Sequence, residues 1–330
     1  MKDVVIMLLS LGLILASAEA FTNGVEWLGR RLKLGAGAVG SILAAVGTAL
    51  PETMVPLIAF LGTQGEESIT EVGIGAILGA PFMLATLAFL ISGLAALIFR
   101  RANQPLRIQG GVIQRDITFF LTTYTLAIFS SFLPSPSLKL GVAGILPLIY
   151  VVYVIITVKK SKGAEEQGQL PPLYITRQVQ EPELISILGQ ITLALLGIVA
   201  GAHGFVDAVQ SVALTTGIPA LVLSLIITPI ATELPEKFNS VIWLSRGKDT
   251  LALGNITGAM VFQSSVIPAI GLALTPWKLE PLALWSGILA IASGLMLLMN
   301  LKRRGVVYPS TLMVGGGFYL LFIFTVLTLL

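Results

Sequence analysis

Ten long apolar runs, separated by short polar stretches, constrain this chain more than any other feature of its sequence. The runs cover residues 4–28, 36–62, 72–99, 116–134, 138–158, 185–210, 217–245, 250–275, 279–300 and 306–330. Each is close to the roughly 20 apolar residues that a helix needs to cross a bilayer. The runs do not alternate with a period of two, which favours helices over the strands of a membrane barrel. We therefore predict an all-α integral membrane protein with about ten transmembrane helices.

The composition excludes several classes of protein. Of the 330 residues, 55% are hydrophobic and 11% are charged, whereas a soluble domain has roughly 25% charged residues. A soluble fold of this size could not bury so much apolar surface. The chain has no cysteine, which excludes disulfides, thiolate metal sites and cysteine nucleophiles. No motif pairs a nucleophile with a base, so we predict neither enzymatic activity nor a cofactor.

The distribution of basic residues predicts the orientation in the membrane. The loops that follow the odd-numbered runs contain 16 of the 20 Lys and Arg residues. By the positive-inside rule, these loops face the cytoplasm. We therefore predict a multi-pass protein of the cell membrane with both termini outside. The long proline-containing loop at 159–184 is then a cytoplasmic linker.

The two halves of the chain align with each other. Identical residues recur at an offset of 184 and then of 179, namely Thr48/Thr232, Pro51/Pro235, Glu52/Glu236, Gly75/Gly254 and Gly79/Gly258. Because each half has five spans, an odd number, the second copy enters the membrane from the opposite face. We predict two inverted five-helix repeats, 1–158 with its core at 36–99 and 185–330 with its core at 217–275, joined by the linker.

The first run has a competing interpretation as a cleavable signal peptide. Lys2, the apolar stretch after it and the small residues at 16–18 fit that pattern. However, Phe21 of this run aligns with Phe205 of the sixth run. Because the first run has a partner in the repeat, we assign it to the mature fold.

The centres of the second and seventh runs are expected to be broken helices. They read Gly-Thr-Ala-Leu-Pro-Glu at 47–52 and Ala-Thr-Glu-Leu-Pro-Glu at 231–236. A proline removes one backbone N–H and its ring clashes with the carbonyl four residues earlier. The carbonyl oxygens of Gly47 and Ala231 are therefore predicted to be available as ligands.

Beside these breaks stand acidic and hydroxyl side chains, Glu52 and Thr48 in the first repeat and Glu236, Glu233 and Thr232 in the second. A carboxylate at the bilayer centre costs at least ~2.5–3.5 kcal/mol, so these groups require a cation or protons. Carboxylate, hydroxyl and carbonyl oxygens suit Ca²⁺ or Na⁺, whereas copper and zinc favour sulfur and nitrogen. The sequence predicts a cation site near the midplane.

The two motifs resemble the α-repeats of the sodium/calcium exchanger family, in the calcium/cation antiporter superfamily. Those repeats carry a Gly-Thr-Ser-x-Pro-Glu motif, followed on the next helix by Gly-Asn-x-x-Gly-Ser and a further polar residue. The resemblance implies exchange of Ca²⁺ for Na⁺, or in some branches H⁺, by alternating access. It implies that Glu52 and Glu236 bind Ca²⁺, flanked by Thr48 and Thr232, and it matches Asn255 to the family's asparagine.

Several positions that help form Na⁺ sites in the family differ here. The motif serine and the later polar positions are replaced in the first repeat by Ala49, Ala76, Ala80 and Leu84, and in the second by Glu233, Ala259 and Gln263. The first repeat thus lacks these polar groups, whereas the second has an additional carboxylate. Asn255 and Gln263 remain secondary candidates for ion binding.

Glu19 and His203 occupy equivalent positions on the first and sixth runs, the helices that slide in the family. Because an unperturbed histidine titrates near neutral pH, we consider both residues as candidates for gating. The alternative for His203 is a packed histidine that is hydrogen-bonded to a neighbour.

Three functions are compatible with these features. The first is a secondary antiporter that exchanges Ca²⁺ for Na⁺, and the second is a Ca²⁺/H⁺ antiporter. The third, a cation channel, is disfavoured because carboxylates from opposed half-repeats indicate an occluded site rather than a pore ring. We expect the partners to be the lipid bilayer and inorganic cations, with no nucleic acid and no obligatory protein partner.

Glu233 is expected to complicate the charge balance of the site. It lies three positions before Glu236, so the two side chains share one face of a helix. Three carboxylates around one Ca²⁺ leave an excess negative charge in a medium of low dielectric constant. We therefore predict that Glu233 holds a proton or a monovalent cation when Ca²⁺ is bound.

Overall fold

The apolar runs form long helices in the computed structural model, which describes residues 2–31, 41–42, 45–62, 67–100, 104–108, 111–161, 170–176, 181–217, 220–245 and 247–329. Within these ranges the chain is helical and contains no β-strand. The helices are α1 (Lys2–Arg31), α2 (Ala45–Thr48), α3 (Leu50–Gly62), α4 (Glu67–Met83), α5 (Phe89–Arg100), α6 (Val112–Phe129), α7 (Pro136–Ser161), α8 (Leu184–Thr216), α9 (Ala220–Thr232), α10 (Leu234–Ser245), α11 (Asp249–Leu274), α12 (Pro281–Arg304) and α13 (Pro309–Leu329).

These helices match the ten predicted runs. Seven described stretches are long and apolar enough to cross a membrane, namely Asp3–Phe21, Thr70–Phe99, Pro136–Lys160, Leu184–Thr216, Asp249–Leu274, Pro281–Arg304 and Pro309–Thr328. The other three runs are α6 and the two broken pairs α2/α3 and α9/α10. Large apolar side chains such as Leu9, Leu148 and Leu327 are exposed on the outer helices, as expected for a surface in lipid. The predicted all-α membrane fold is confirmed.

The packing of α1 against α8 shows that the repeats are inverted. Gly197 of α8 lies against Ser17 of α1, and Gly204 lies against Ser10. The numbering rises along one helix as it falls along the other, so the two helices are antiparallel. Because α1 and α8 are the first helices of their repeats, the second repeat crosses the membrane in the opposite direction to the first.

The remaining helix contacts obey the same symmetry. In the first repeat α4 contacts α3, α9 and α12, and in the second repeat α11 makes the equivalent contacts with α10, α2 and α6. The contact between α5 and α13 likewise corresponds to that between α11 and α7. The contact of α3 with α8 likewise corresponds to that of α10 with α1. The helices α4 and α11 therefore lie at the centre, and the broken helices pack directly on them.

Two glycines allow the broken helices to approach the central ones. A Cβ atom on Gly258 of α11 would lie 2.5 Å from the carbonyl oxygen of Ser41, and one on Gly79 of α4 would lie 2.7 Å from that of Leu225. Ser41 and Leu225 are equivalent positions at the offset of 184. Small residues of this kind permit close backbone packing between membrane helices. Here they set the distance between the broken helices and the central helices α4 and α11.

A single π-helical turn at Leu84–Ala88 connects α4 to α5 within the third span. It begins three residues after Pro81, which has no N–H to donate to the preceding turn. The hydroxyl group of Ser293 on α12 donates to the Ala85 carbonyl oxygen, and Thr86 Oγ1 donates to the Phe82 carbonyl oxygen at 2.6 Å. The wider turn is thus stabilised by hydrogen bonds that the apolar pattern did not predict.

A buried carboxylate joins three helices beside the centre. Asp116 of α6 accepts hydrogen bonds from Arg115 at 2.9 Å, from Tyr153 of α7 at 3.1 Å and from Thr257 of α11 at 2.9 Å. Asp116 is fully buried, and hydrogen bonds to a charged group are the stronger ones. This cluster fixes α11 against α6 and α7.

Part of the predicted linker packs against the helices. Trp27 of α1 donates from Nε1 to the Pro171 carbonyl oxygen at 2.9 Å, and Leu173 is fully buried in a cluster with Trp27 and Ile187. The backbone amide of Ile175 donates to Gln190 of α8 at 3.1 Å. The segment 170–176 is therefore held between the ends of α1 and α8.

We predict that Gly258→Ala lowers stability, because the added methyl group must displace the backbone at Ser41. Overpacking of this kind costs about 1–3 kcal/mol, which thermal unfolding of the detergent-purified protein would detect as a lower Tm. The control is Gly317→Ala on α13, where an added Cβ meets no atom within 4 Å. Equal Tm values for the two variants would contradict the close contact.

Candidate cation site

Both predicted helix breaks are present, and they lie at equivalent positions of the repeat. The second span is interrupted at Ala49, between α2 and α3, and the seventh at Glu233, between α9 and α10. Pro51 and Pro235 follow each interruption by two residues. Because neither proline has an N–H, the carbonyl oxygens of Gly47 and Ala231 receive no helical hydrogen bond from it. The neighbouring helical bonds are kept, such as those from Thr53 to Ala49 at 3.3 Å and from Lys237 to Glu233 at 3.2 Å.

The two predicted principal ligands lie directly after the breaks. Glu52 is in the first turn of α3 and Glu236 is in the first turn of α10. Their side chains are 2% and 0% exposed. The first turn of a helix carries partial positive charge from its unpaired N–H groups, which favours an anionic side chain there. Each half-helix therefore places one carboxylate in the interior, close to its own N-terminus.

The fold brings these carboxylates together from distant parts of the chain. Glu52 interacts electrostatically with both Glu236 and Glu233, and the hydroxyl group of Thr232 lies beside it. Neither oxygen of Glu52 has a hydrogen bond of ordinary geometry within the described residues. The Thr232 hydroxyl group therefore does not replace the hydrogen bonds that water would give to this carboxylate. A desolvated group of like charges is unfavourable unless a cation balances it.

The described side chains do not form a complete metal-binding cluster by themselves. Among them, no group of three or more His, Asp or Glu residues could hold one metal ion. A cation between Glu52 and Glu236 would thus need further oxygen ligands from hydroxyl groups, amides, backbone carbonyls or water. This is the mixed oxygen shell that Ca²⁺ accepts.

Three of the predicted ligands are described only by their backbone. Gly47 and Thr48 lie in the short helix α2, and Ala231 lies in α9, one residue before Thr232. The side chain of Thr48 is outside the described part of the structure. Thr232, in contrast, is fully buried beside Glu52.

The two central helices differ in the polarity of their buried side chains. On α11, Asn255 and Gln263 are fully buried, and neither amide has a hydrogen-bond partner among the described residues. At the corresponding positions of the third span, Ala76 and Ala80 of α4 and Leu84 of the π-helical turn are buried apolar residues. Buried amides without partners are unfavourable, so α11 retains capacity to bind an ion or water that α4 lacks.

Lys237 is an important residue that we did not predict to lie at the site. Its Nζ atom lies 3.0 Å from Glu233 Oε2, in an i,i+4 ion pair whose side chains are 6% and 0% exposed. The same ammonium lies 3.3 Å from the Pro229 carbonyl oxygen. An ammonium group therefore lies beside Glu233, where we predicted a proton or a monovalent cation. The i,i+4 spacing was the available signal.

The two candidate gating residues lie outside this buried cluster. Glu19 is exposed on α1 and accepts a hydrogen bond from the hydroxyl group of Tyr174 at 2.8 Å. His203 is exposed on α8, and its Nδ1 atom lies 3.0 Å from the Val199 carbonyl oxygen. Glu19 is thus connected to the linker segment, and His203 to its own helix.

Comparison with known proteins identifies one family over nearly the whole chain. The family described as sodium/calcium exchanger protein matches residues 2–159 and 186–330. A protein named CaxA from Alkalimonas amylolytica is 28% identical over 308 residues, which cover 90% of this chain and 89% of that relative. The match includes both repeats and omits most of the linker.

Solved structures show the same fold. The H⁺/Ca²⁺ exchanger CAX superimposes with a TM-score of 0.80 and 18% identity, over 98% of this chain and 82% of that protein. The sodium-calcium exchanger NCX_Mj superimposes with a TM-score of 0.64 and 19% identity, over 98% of each chain. Since both identities are low, these similarities establish the fold alone.

We predict that Lys237→Gln is strongly destabilising, because it leaves the Glu233 carboxylate buried without its countercharge. Removal of one partner of a buried ion pair costs about 3–5 kcal/mol. The double variant Glu233→Gln/Lys237→Gln should recover most of this loss. The measurement is thermal unfolding in choline buffer, where no small cation replaces the ammonium.

Lys278→Gln is the matched control, because Lys278 is exposed. A Tm for Lys237→Gln equal to that of Lys278→Gln would show that the buried pair contributes nothing to stability.

Proposed function

Because the chain belongs to the sodium/calcium exchanger protein family, we propose that it is a secondary antiporter that exchanges Ca²⁺ for Na⁺ by alternating access. Glu52 and Glu236 bind the transported Ca²⁺. Further oxygen ligands come from the two breaks, namely Gly47, Thr48, Ala231 and Thr232. The observation that carries this proposal is the pair of buried carboxylates that meet from equivalent helix breaks.

The charge balance of the buried groups supports Ca²⁺ as the transported ion. Glu233 and Lys237 neutralise each other, so Glu52 and Glu236 are the two carboxylates left to balance. One divalent cation does this, and its preference for six to eight oxygen ligands in a flexible arrangement suits a shell of mixed groups.

The inverted symmetry supports alternating access. Each repeat contributes one broken helix, and a site at their meeting point can open to one side or the other when the repeats exchange conformations. The helices α1 and α8 pack through small residues, including Ser10, Ser17, Gly197 and Gly204. A smooth interface of this kind would permit sliding, with Glu19 and His203 as gating residues on its exposed side.

A second candidate is exchange of Ca²⁺ for H⁺. It is favoured by the apolar surface of the third span, where Ala76, Ala80 and Leu84 offer no side-chain oxygen to additional Na⁺ ions. Protons need no such ligands, because they bind directly to Glu52 and Glu236. A cation channel is less favoured, since two carboxylates from opposed half-helices enclose an ion rather than line a pore.

The distinguishing experiment is ⁴⁵Ca²⁺ uptake into proteoliposomes with an outward gradient of Na⁺ or of H⁺. An antiporter accumulates Ca²⁺ only when the counter-ion is present on the opposite side, and the gradient that drives uptake identifies that ion. Uptake that is independent of both gradients would indicate a channel.

We predict that Glu52→Gln and Glu236→Gln each abolish Ca²⁺ uptake, because each removes a ligand charge and keeps the size of the side chain. Thermal unfolding and gel filtration should show that both variants remain folded. The control, Glu183→Gln, changes an exposed glutamate before α8 and should transport like the wild type. Flux near the wild-type rate in either site variant would exclude that residue as a ligand.

We also propose that both termini lie outside the cell and that the 159–184 linker is cytoplasmic. Single cysteines report this without background, because the chain has none. Glu280→Cys, in the exposed loop before α12, should react with an impermeant maleimide in intact cells. Glu181→Cys, in the exposed part of the linker, should react only after permeabilisation. The opposite labelling pattern would reverse the orientation.

A further inference from the structure

Lys237 places a fixed positive charge beside Glu233, the carboxylate next to Glu52 and Glu236. Its ammonium contacts Glu233 at 3.0 Å and the Pro229 carbonyl oxygen at 3.3 Å. The lysine side chain is 6% exposed and the glutamate 0%. Since the ammonium is covalently attached and enclosed, it cannot leave for either side of the membrane as a free cation does.

The first repeat has no corresponding ion pair, although the equivalent backbone hydrogen bond is present. Ala49 and Thr53 occupy the positions equivalent to Glu233 and Lys237 at the offset of 184. The amide of Thr53 donates to the Ala49 carbonyl oxygen at 3.3 Å, and that of Lys237 to the Glu233 carbonyl oxygen at 3.2 Å. Glu233 and Lys237 therefore both differ from the equivalent residues of the first repeat, and they lie one helical turn apart.

The oxygen atoms around the ammonium are those that would bind a small cation. Glu233 provides a carboxylate and Pro229 a backbone carbonyl, and hard cations prefer such ligands. If the lysine were absent, a mobile cation at this point would join the ions that the protein exchanges. With the lysine present, mobile ions need to balance only Glu52 and Glu236.

We propose that Lys237 occupies the place of an exchangeable alkali cation and thereby sets the exchange at two monovalent cations per Ca²⁺. The inference rests on the proposed function, because it assumes that Ca²⁺ and its counter-ions alternate at Glu52 and Glu236. One Ca²⁺ balances the two carboxylates on one half of the cycle, and two monovalent cations balance them on the other. The cycle is then electroneutral.

The test measures the Ca²⁺ distribution across proteoliposomes at equilibrium while valinomycin and a K⁺ gradient set the membrane potential. The wild-type distribution should not depend on the potential. Lys237→Gln should bind one additional monovalent cation per cycle and move one net charge. Its Ca²⁺ ratio should then change tenfold for about 59 mV, the factor for one elementary charge.

Three further variants separate the charge from other effects of the substitution. Lys237→Arg keeps the charge, Glu233→Gln/Lys237→Gln removes both charges, and Lys278→Gln alters an exposed lysine. All three should remain independent of the potential. The proposal is overturned if the wild type or Lys237→Arg depends on the potential, or if an active Lys237→Gln does not.

A second measurement does not depend on transport. Purified protein is moved from choline chloride to NaCl or KCl and its thermal unfolding is followed. Lys237→Gln should show a rise in Tm of about 2–4 °C beyond that of the wild type and of the double variant, because an alkali cation now binds the folded state. No additional rise would overturn the assignment of Lys237.

The two measurements distinguish the two proposals. A wild-type protein that shows no Ca²⁺ countertransport contradicts the proposed function, and the effect of salt on Tm then decides the role of Lys237 alone. Normal countertransport with a wild-type cycle that moves net charge contradicts the role of Lys237 and leaves the proposed function intact.

Discussion

Neutralisation of carboxylates away from water is the constraint on which the rest of this structure depends. A charged group in a medium of low dielectric constant is stable only with a nearby opposite charge and with hydrogen bonds or ligands around it. Glu52 and Glu236 lie buried in the first turns of α3 and α10, and the dipoles of these helices offset only part of the cost. The remaining charge creates the demand for a cation, which is the basis of the proposed transport.

The inverted repeat is what brings the two carboxylates together. A single broken helix exposes one helix N-terminus and a few unpaired backbone groups, which are poor ligands alone. Two breaks related by inversion point their helix starts toward a common centre. The close contacts at Gly79 and Gly258 then allow the broken helices to lie against α4 and α11. Small residues in the central helices therefore permit the close packing that brings the two breaks together.

The symmetry is incomplete in a way that concentrates polar chemistry on one side. The second repeat carries the buried amides of Asn255 and Gln263 together with the Glu233–Lys237 pair. The first repeat has buried apolar side chains at Ala76 and Ala80. An ion pair enclosed in protein contributes little net stability compared with an apolar pair. In the proposed ion cycle, the role of this pair is the positive charge that it contributes beside the carboxylates.

The sequence by itself determined the ten spans, the inverted repeats and the two breaks, and it predicted Glu52 and Glu236 as the principal ligand pair. These features follow from hydropathy, from the positions of proline and from identity between the two halves. All three can be seen in short stretches of the sequence or by aligning one half with the other. Only the tertiary structure decided that Lys237 pairs with Glu233 and that Glu19 binds Tyr174 of the linker. A lysine in a membrane helix can extend to the interface or turn inward. The choice depends on which helices surround it, and that arises from packing between residues that are distant in sequence.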